Sequence, residues 1–167
     1  MLGGVLLGAC TRPALSRSEY RSRVGALCGE AKRALGALAL PRAAPTGLVV
    51  SLRRLRAINR RLTNRIAVLD PPLGTDRSHD AAIAIGQRTD RALGRVTAAL
   101  KHAGSPAQVL AARRPGLAAA AAADDHRWAR LRLKACAGGP SAALASVATR
   151  TLPQAPARGG PTKRRIS

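Results

Sequence analysis

The sequence predicts an all-α protein, a mostly antiparallel bundle of about four helices with a disordered basic C-terminal tail. The 167 residues include 36 Ala and 22 Leu but no Phe. This composition favours helices and disfavours a β-sandwich or barrel. Apolar residues recur at spacings of three, four and seven, and capping residues or prolines separate the periodic stretches. The length suits a single domain.

The first helix is predicted to begin at Ser16, because Ser16-Arg17-Ser18-Glu19 forms a capping box. Pro41 and Pro45 end the helix and form a linker. The residues of its apolar stripe are Tyr20, Val24, Leu27, Cys28, Ala31, Leu35 and Leu38.

The second helix is predicted over about 46–69, where Asp70-Pro71-Pro72 stops it. Its apolar stripe consists of Leu48, Leu52, Leu55, Leu62, Ile66 and Leu69. No acidic residue within this helix balances its six arginines, which form the two rows Arg53, Arg56, Arg60 and Arg54, Arg61, Arg65.

The third helix is predicted over about 76–103, with Gly104 as its C-cap. Its apolar stripe is Ala82, Ile85, Thr89, Leu93, Val96 and Leu100. The fourth helix is predicted to start with Ser105 as N-cap, Pro106 at the first helical position and Gln108 at the third.

Pro115-Gly116 predicts a break in the fourth helix, with a short helix up to Arg114 and another over about 116–133. We interpret Trp128 as a core residue rather than a stacking surface for a cation or a sugar. Residues 11–137 then form the bundle domain. Residues 138–167 are rich in Ala, Gly, Pro, Ser and Thr, contain no acid, and are predicted to be a disordered basic tail.

Residues 1–10 are predicted to be a truncated or degenerate lipoprotein signal segment. Leu7-Gly8-Ala9-Cys10 fits a lipobox, in which an aliphatic residue and two small residues precede the cysteine that receives the lipid. No Lys or Arg precedes Cys10, so we expect the true signal peptide to begin further upstream. The alternative is an apolar N-terminus that contains an incidental cysteine.

Cys28 and Cys136 are the two remaining cysteines if Cys10 carries a lipid. The exported side of a membrane is oxidising, so these two thiols could form a disulfide bond there. The alternative is a pair of reduced, buried cysteines in a cytosolic protein.

The order of these motifs resembles a family of small, uncharacterised lipoproteins of high-GC Gram-positive bacteria. The matching segments are the lipobox, Ser18-Glu19-Tyr20-Arg21 with Cys28, the break at Leu69-Asp70-Pro71-Pro72, and the ending Leu131-Arg132-Leu133-Lys134-Ala135-Cys136. The resemblance covers about residues 7–137 and implies a Cys28–Cys136 bond between the first helix and the end of the domain. The chain departs from the family in lacking the basic start and in carrying Arg132 where a Gly is usual. The resemblance implies no reaction.

The histidines and acidic residues do not suggest a metal or catalytic site. Asp124-Asp125-His126 is the only dense cluster of metal-ligand types, and no second cluster completes it. We interpret it as a solvated helix face. His79 and His102 stand apart, and the sequence contains no nucleophile-elbow, Walker A or dinucleotide-binding pattern. We therefore predict no cofactor, no metal and no enzymatic activity.

The formal charge of +21, with 25 Arg and only 4 Lys, indicates a polyanionic partner or a codon bias without functional meaning. We expect the six arginines of the second helix to bind anionic lipid head groups or cell-wall polyanions beside the membrane. The predicted protein is a lipoprotein at the extracytoplasmic face of the cell membrane, with a non-catalytic binding or structural role. The alternative is a cytosolic basic helical protein that binds nucleic acid non-specifically.

Overall fold

A computed structural model describes residues 14–38, 45–103 and 105–148. The described chain is all-helical, as predicted. Four long helices follow one another, α1 (Arg17–Gly36), α2 (Pro45–Ala67), α3 (Asp76–Lys101) and α4 (Pro106–Arg130). A short 3-10 turn, Lys134–Cys136, and a fifth helix, α5 (Pro140–Ala148), complete the described part. Residues 1–13, and with them Cys10 and the predicted signal segment, lie outside the described residues, as does Gly104.

The predicted caps set the starts of two helices. The Ser16 hydroxyl accepts the Glu19 backbone N–H at 3.2 Å, and the Glu19 carboxylate accepts the Ser16 N–H at 2.9 Å. These two bonds confirm the capping box. The hydrogen bonds from Ser16, reinforced by Arg23, lower the pKa of Glu19. Ser105 caps α4 by accepting the Gln108 N–H at 3.5 Å.

The apolar stripes form the core in two clusters. One joins α2, α3 and α4 around Leu48, Leu52, Leu93 and Leu110. The other joins α1, α2, α3 and the chain around Cys136. Trp128 is buried in this second cluster, which confirms its assignment to the core.

The helices α2 and α3 approach each other closely at Gly86. A Cβ atom there would lie 2.0 Å from Thr63 Oγ1, so only glycine fits the existing spacing. Asn59, which occupies the gap in the predicted stripe between Leu55 and Leu62, is buried and donates to the Gly86 carbonyl at 2.8 Å. A polar side chain thus completes the contact face of α2.

The predicted break at Pro115 is wrong, because α4 runs unbroken from Pro106 to Arg130. Leu110, Leu117, Ala121 and Trp128 are buried on one face of α4, so packing holds both sides of the proline in register. Residues 111–116 are all exposed, and water can therefore bond to the carbonyl group that Pro115 leaves without a donor.

The prediction of a disordered tail from residue 138 is also wrong for its first part. Gly138 adopts a left-handed φ of 69°, and α5 then begins at Pro140. Asp125 of α4 accepts the Gly138 N–H at 3.0 Å and the Ser141 hydroxyl at 2.6 Å. The 3-10 turn and α5 contact both α4 and α1, and thereby close the bundle between its first and last long helices. Residues 149–167 lie outside the described residues.

Candidate functional site

A disulfide bond joins Cys28 of α1 to Cys136 of the 3-10 turn, as predicted, with their Cα atoms 5.0 Å apart. Both residues are buried. The end of α4 directs the chain toward α1: the Leu133 N–H donates to Trp128 O and the Arg132 N–H donates to Ala129 O, both at 3.0 Å. This pair of bonds is a Schellman motif, and Arg132 takes its left-handed position with φ 55°. An arginine thus occupies the turn position that glycine usually fills.

The six arginines of α2 do not form one free surface. Arg56 makes a two-pronged ion pair with Asp90 of α3, from Nε to Oδ1 at 2.8 Å and from Nη2 to Oδ2 at 2.9 Å. The hydrogen bond from Arg56 lowers the pKa of Asp90, and its charge, with those of Arg60 and Arg91, acts in the same direction. Within the row Arg53, Arg56, Arg60, the members Arg56 and Arg60 therefore border α3.

In the other row of α2, Arg65 forms an ion pair with Glu30 of α1. Asp90 of α3 and Glu30 of α1 thus balance two arginines of α2, a helix that contains no acidic residue of its own. Arg53, Arg54 and Arg61 are exposed and form no salt bridge with a described residue. The binding of an anionic surface by these six arginines remains a prediction, and Arg56 is the member least available for it.

The predicted solvated face at Asp124-Asp125-His126 is wrong for the two acids. Asp124 is only 3% exposed, accepts the Thr89 hydroxyl at 2.8 Å and lies 3.4 Å from Arg88 Nη2. Asp125 holds the start of α5, as described above. Only His126 is exposed as predicted. The acids join helices rather than face solvent.

His79 is also engaged in the core. Its Nδ1 lies 3.0 Å from the hydroxyl of Tyr20, and burial raises the pKa of that tyrosine. His102 is exposed. The described ranges contain no group of three or more His, Cys, Asp or Glu side chains arranged to hold a metal ion.

A cavity that the sequence did not predict opens at the end of the bundle where α1 begins and α4 ends. Its volume is about 230 Å³, and its lining includes Arg17, Arg21, Arg130 and Arg132. The only sequence signals for this cavity were the i, i+4 spacing of Arg17 and Arg21 and the basic residues beside the end of α4. Their proximity depends on helices more than 100 residues apart in the chain, which no local pattern reveals.

No protein family, curated protein or solved structure matches this chain. The resemblance to small lipoproteins therefore remains a prediction that rests on the motifs themselves. None of the helices in the described ranges combines the length and apolar composition that a membrane span requires.

Proposed function

We propose that this protein is an exported lipoprotein, anchored to the cell membrane through Cys10, whose helical bundle is a non-catalytic binding or structural module at the extracytoplasmic face. The observation that carries the proposal is the Cys28–Cys136 disulfide bond. Structural disulfides persist in oxidising compartments and are rare in the cytosol. Of the three cysteines, the bond leaves only the one in the lipobox pattern for lipid attachment.

The buried polar groups support a structural role for the bundle interior. Asp124, His79 and Asn59 each bond to a partner on another helix. Within the described residues, no buried side-chain N or O atom is without a hydrogen-bond partner. These side chains specify how the helices pack, since an unpaired buried polar group is costly.

The cytosolic alternative draws its support from the charge of +21, which is sufficient for non-specific binding to phosphate backbones. The disulfide bond counts against it, because the cytosol keeps thiols reduced. An anionic membrane surface attracts the same arginines, and a lipid anchor would hold them beside it. We therefore favour the membrane.

Metabolic labelling tests the anchor. The gene, with its own upstream region, is expressed in a Gram-positive host that is fed a clickable fatty acid. We expect fatty-acid label and salt-resistant membrane association for the wild type and for the Cys28→Ser/Cys136→Ser control, and loss of both for Cys10→Ser, because a high-salt wash removes electrostatic membrane binding but not a lipid anchor. An unlabelled wild-type protein that fractionates with cytosolic nucleic acid would reject the proposal in favour of the alternative.

A further inference from the structure

The arginine cavity at the end of the bundle has the composition of an anion site. Arg17 and Arg21 come from the first two turns of α1, and Arg130 and Arg132 flank the end of α4. The hydroxyl-bearing residues Thr75 and Ser78, at the start of α3, line the same cavity. The Thr75 hydroxyl already donates to the Pro72 carbonyl at 2.6 Å, so the donors available to a ligand are the four guanidinium groups and the Ser78 hydroxyl.

The cavity has an uncompensated positive charge. No Asp or Glu lines it, and its four arginines form no salt bridge with a described residue. The nearby Glu19 is held in the capping box with Ser16. All four arginines are exposed, so their guanidinium groups are accessible to an anion, and a bound anion would offset the like charges gathered there. The planar guanidinium group also matches the geometry of phosphate oxygens.

Part of the lining between the arginines is apolar. Tyr20, Pro72 and Leu133 line the cavity and are themselves buried. Apolar surface beside a charged group lowers the local dielectric and thereby strengthens its attraction to an anion. The cavity is smaller than the roughly 300–1,000 Å³ pockets that enclose a drug-sized ligand. It suits a phosphate group with a few neighbouring atoms, the remainder of the ligand staying outside.

Arg132 lines the cavity from a backbone conformation that is unusual for an arginine. It is the one non-glycine residue with a positive φ in the described part of the chain. A left-handed backbone is costly for an L-residue with a side chain and nearly free for glycine. Arginine therefore costs more free energy than glycine at this turn position, and the arginine side chain lines the cavity.

We propose that this cavity binds the phosphate group of an anionic lipid headgroup. The choice of a lipid rests on the proposed anchor: Cys10 precedes the cap residue Ser16 by six residues, which span at most about 20 Å. An acylated Cys10 would hold the start of α1, and the cavity beside it, close to the bilayer surface. The headgroup contact then orients the bundle with this end toward the membrane.

Vesicle binding tests the proposal with an unacylated full-length chain that carries Cys10→Ser and retains the disulfide bond. The assay is therefore independent of lipid attachment. Partitioning onto phosphatidylcholine vesicles with and without phosphatidylglycerol is measured for two variants of equal net charge. The cavity pair is Arg21→Gln/Arg130→Gln. The control pair is Arg113→Gln/Arg114→Gln, at exposed positions about 24 Å along α4 from Arg130.

We expect the cavity pair to lose about 25-fold in partitioning onto phosphatidylglycerol vesicles, since each arginine near an anionic surface contributes about fivefold. The control pair should stay within about twofold of the parent. Arg132→Gly should lose about fivefold while melting at the same or a higher temperature, which separates binding from folding. Glycerol 3-phosphate and inorganic phosphate should compete only weakly.

Equal losses in the two pairs would overturn the proposal, because they would indicate diffuse attraction of a basic protein. Loss of inorganic phosphate binding in the cavity pair with unchanged vesicle binding would overturn the lipid assignment. If the cavity pair loses binding to a random-sequence DNA duplex while its vesicle binding is unchanged, the ligand would instead be nucleic acid. If vesicle binding behaves as expected but Cys10 carries no lipid in cells, the anchor fails and the cavity assignment stands.

Discussion

The disulfide bond should supply a large share of the domain's stability. The perturbation is the double substitution Cys28→Ala/Cys136→Ala. The two cysteines are separated by 108 residues. In the chain-entropy model a loop of that size stabilises the folded state by about 4.7 kcal/mol, because the bond restricts the unfolded chain. A domain of this size has a total free energy of unfolding of about 5–15 kcal/mol.

Thermal and urea unfolding followed by circular dichroism would measure this contribution. We expect the double variant to melt about 15 °C below the oxidised wild type, at roughly 3 °C per kcal/mol. The urea m-value should rise, because the unfolded chain without its cross-link exposes more surface. A reducing agent should lower the stability of the wild type toward that of the variant and leave the variant unchanged.

A loss below about 1 kcal/mol with an unchanged m-value would refute the reasoning. It would mean that the bond does not restrict the unfolded chain and that α1 and the end of α4 are held by packing alone. A variant that retains helical content but loses its cooperative transition would instead place the effect in the folded state. That outcome would also contradict an account based on loop entropy.

Three further predictions concern packing, charge and the turn. Gly86→Ala should destabilise the folded protein by about 1–3 kcal/mol because of the contact with Thr63, and by less in a Thr63→Ala background. The exposed control Gly116→Ala should stabilise it by about 0.5–1 kcal/mol. Urea titrations would measure these changes in the free energy of unfolding. Asp90→Asn should cost about 1 kcal/mol at neutral pH. The pKa of Asp90 is lowered in the folded state. Its contribution to the free energy of unfolding is therefore present above the ordinary pKa of 3.8 and is lost as the pH falls through the lower folded-state pKa. In acid titrations the stabilities of wild type and variant should therefore converge. Arg132→Gly should raise stability by about 0.5–1 kcal/mol, and a fall in the melting temperature would contradict the strain assigned to that turn.

Local signals predicted the helices well because caps and apolar spacing act over a few residues. The hydroxyls of Ser16 and Ser105 accept the backbone bonds that their positions indicated. Pro115 is the exception, since the burial of Leu110 and Leu117 on one face outweighs a lost backbone bond. Tertiary packing decides such a case, and no short window of sequence contains it.

The relations between helices were harder to predict. Asp125 stabilises the start of α5 from 16 residues away at Ser141, in a segment whose composition is typical of a disordered tail. The partner of Arg56 lies 34 residues along the chain, so the charge of α2 appeared unbalanced. The arginine cavity depends on the meeting of α1 and α4. The disulfide bond was predictable because a lipid on Cys10 leaves a single pair of cysteines and because the resemblance to small lipoproteins implies that they are bonded.

The measurement that tests the central claim most directly is intact-mass and peptide mass spectrometry of the protein isolated from whole native cells under non-reducing conditions, after alkylation of free thiols. We predict a lipid modification on Cys10 and no alkylation of Cys28 or Cys136. An unmodified Cys10 together with alkylated Cys28 and Cys136 would contradict both the anchor and the exported compartment.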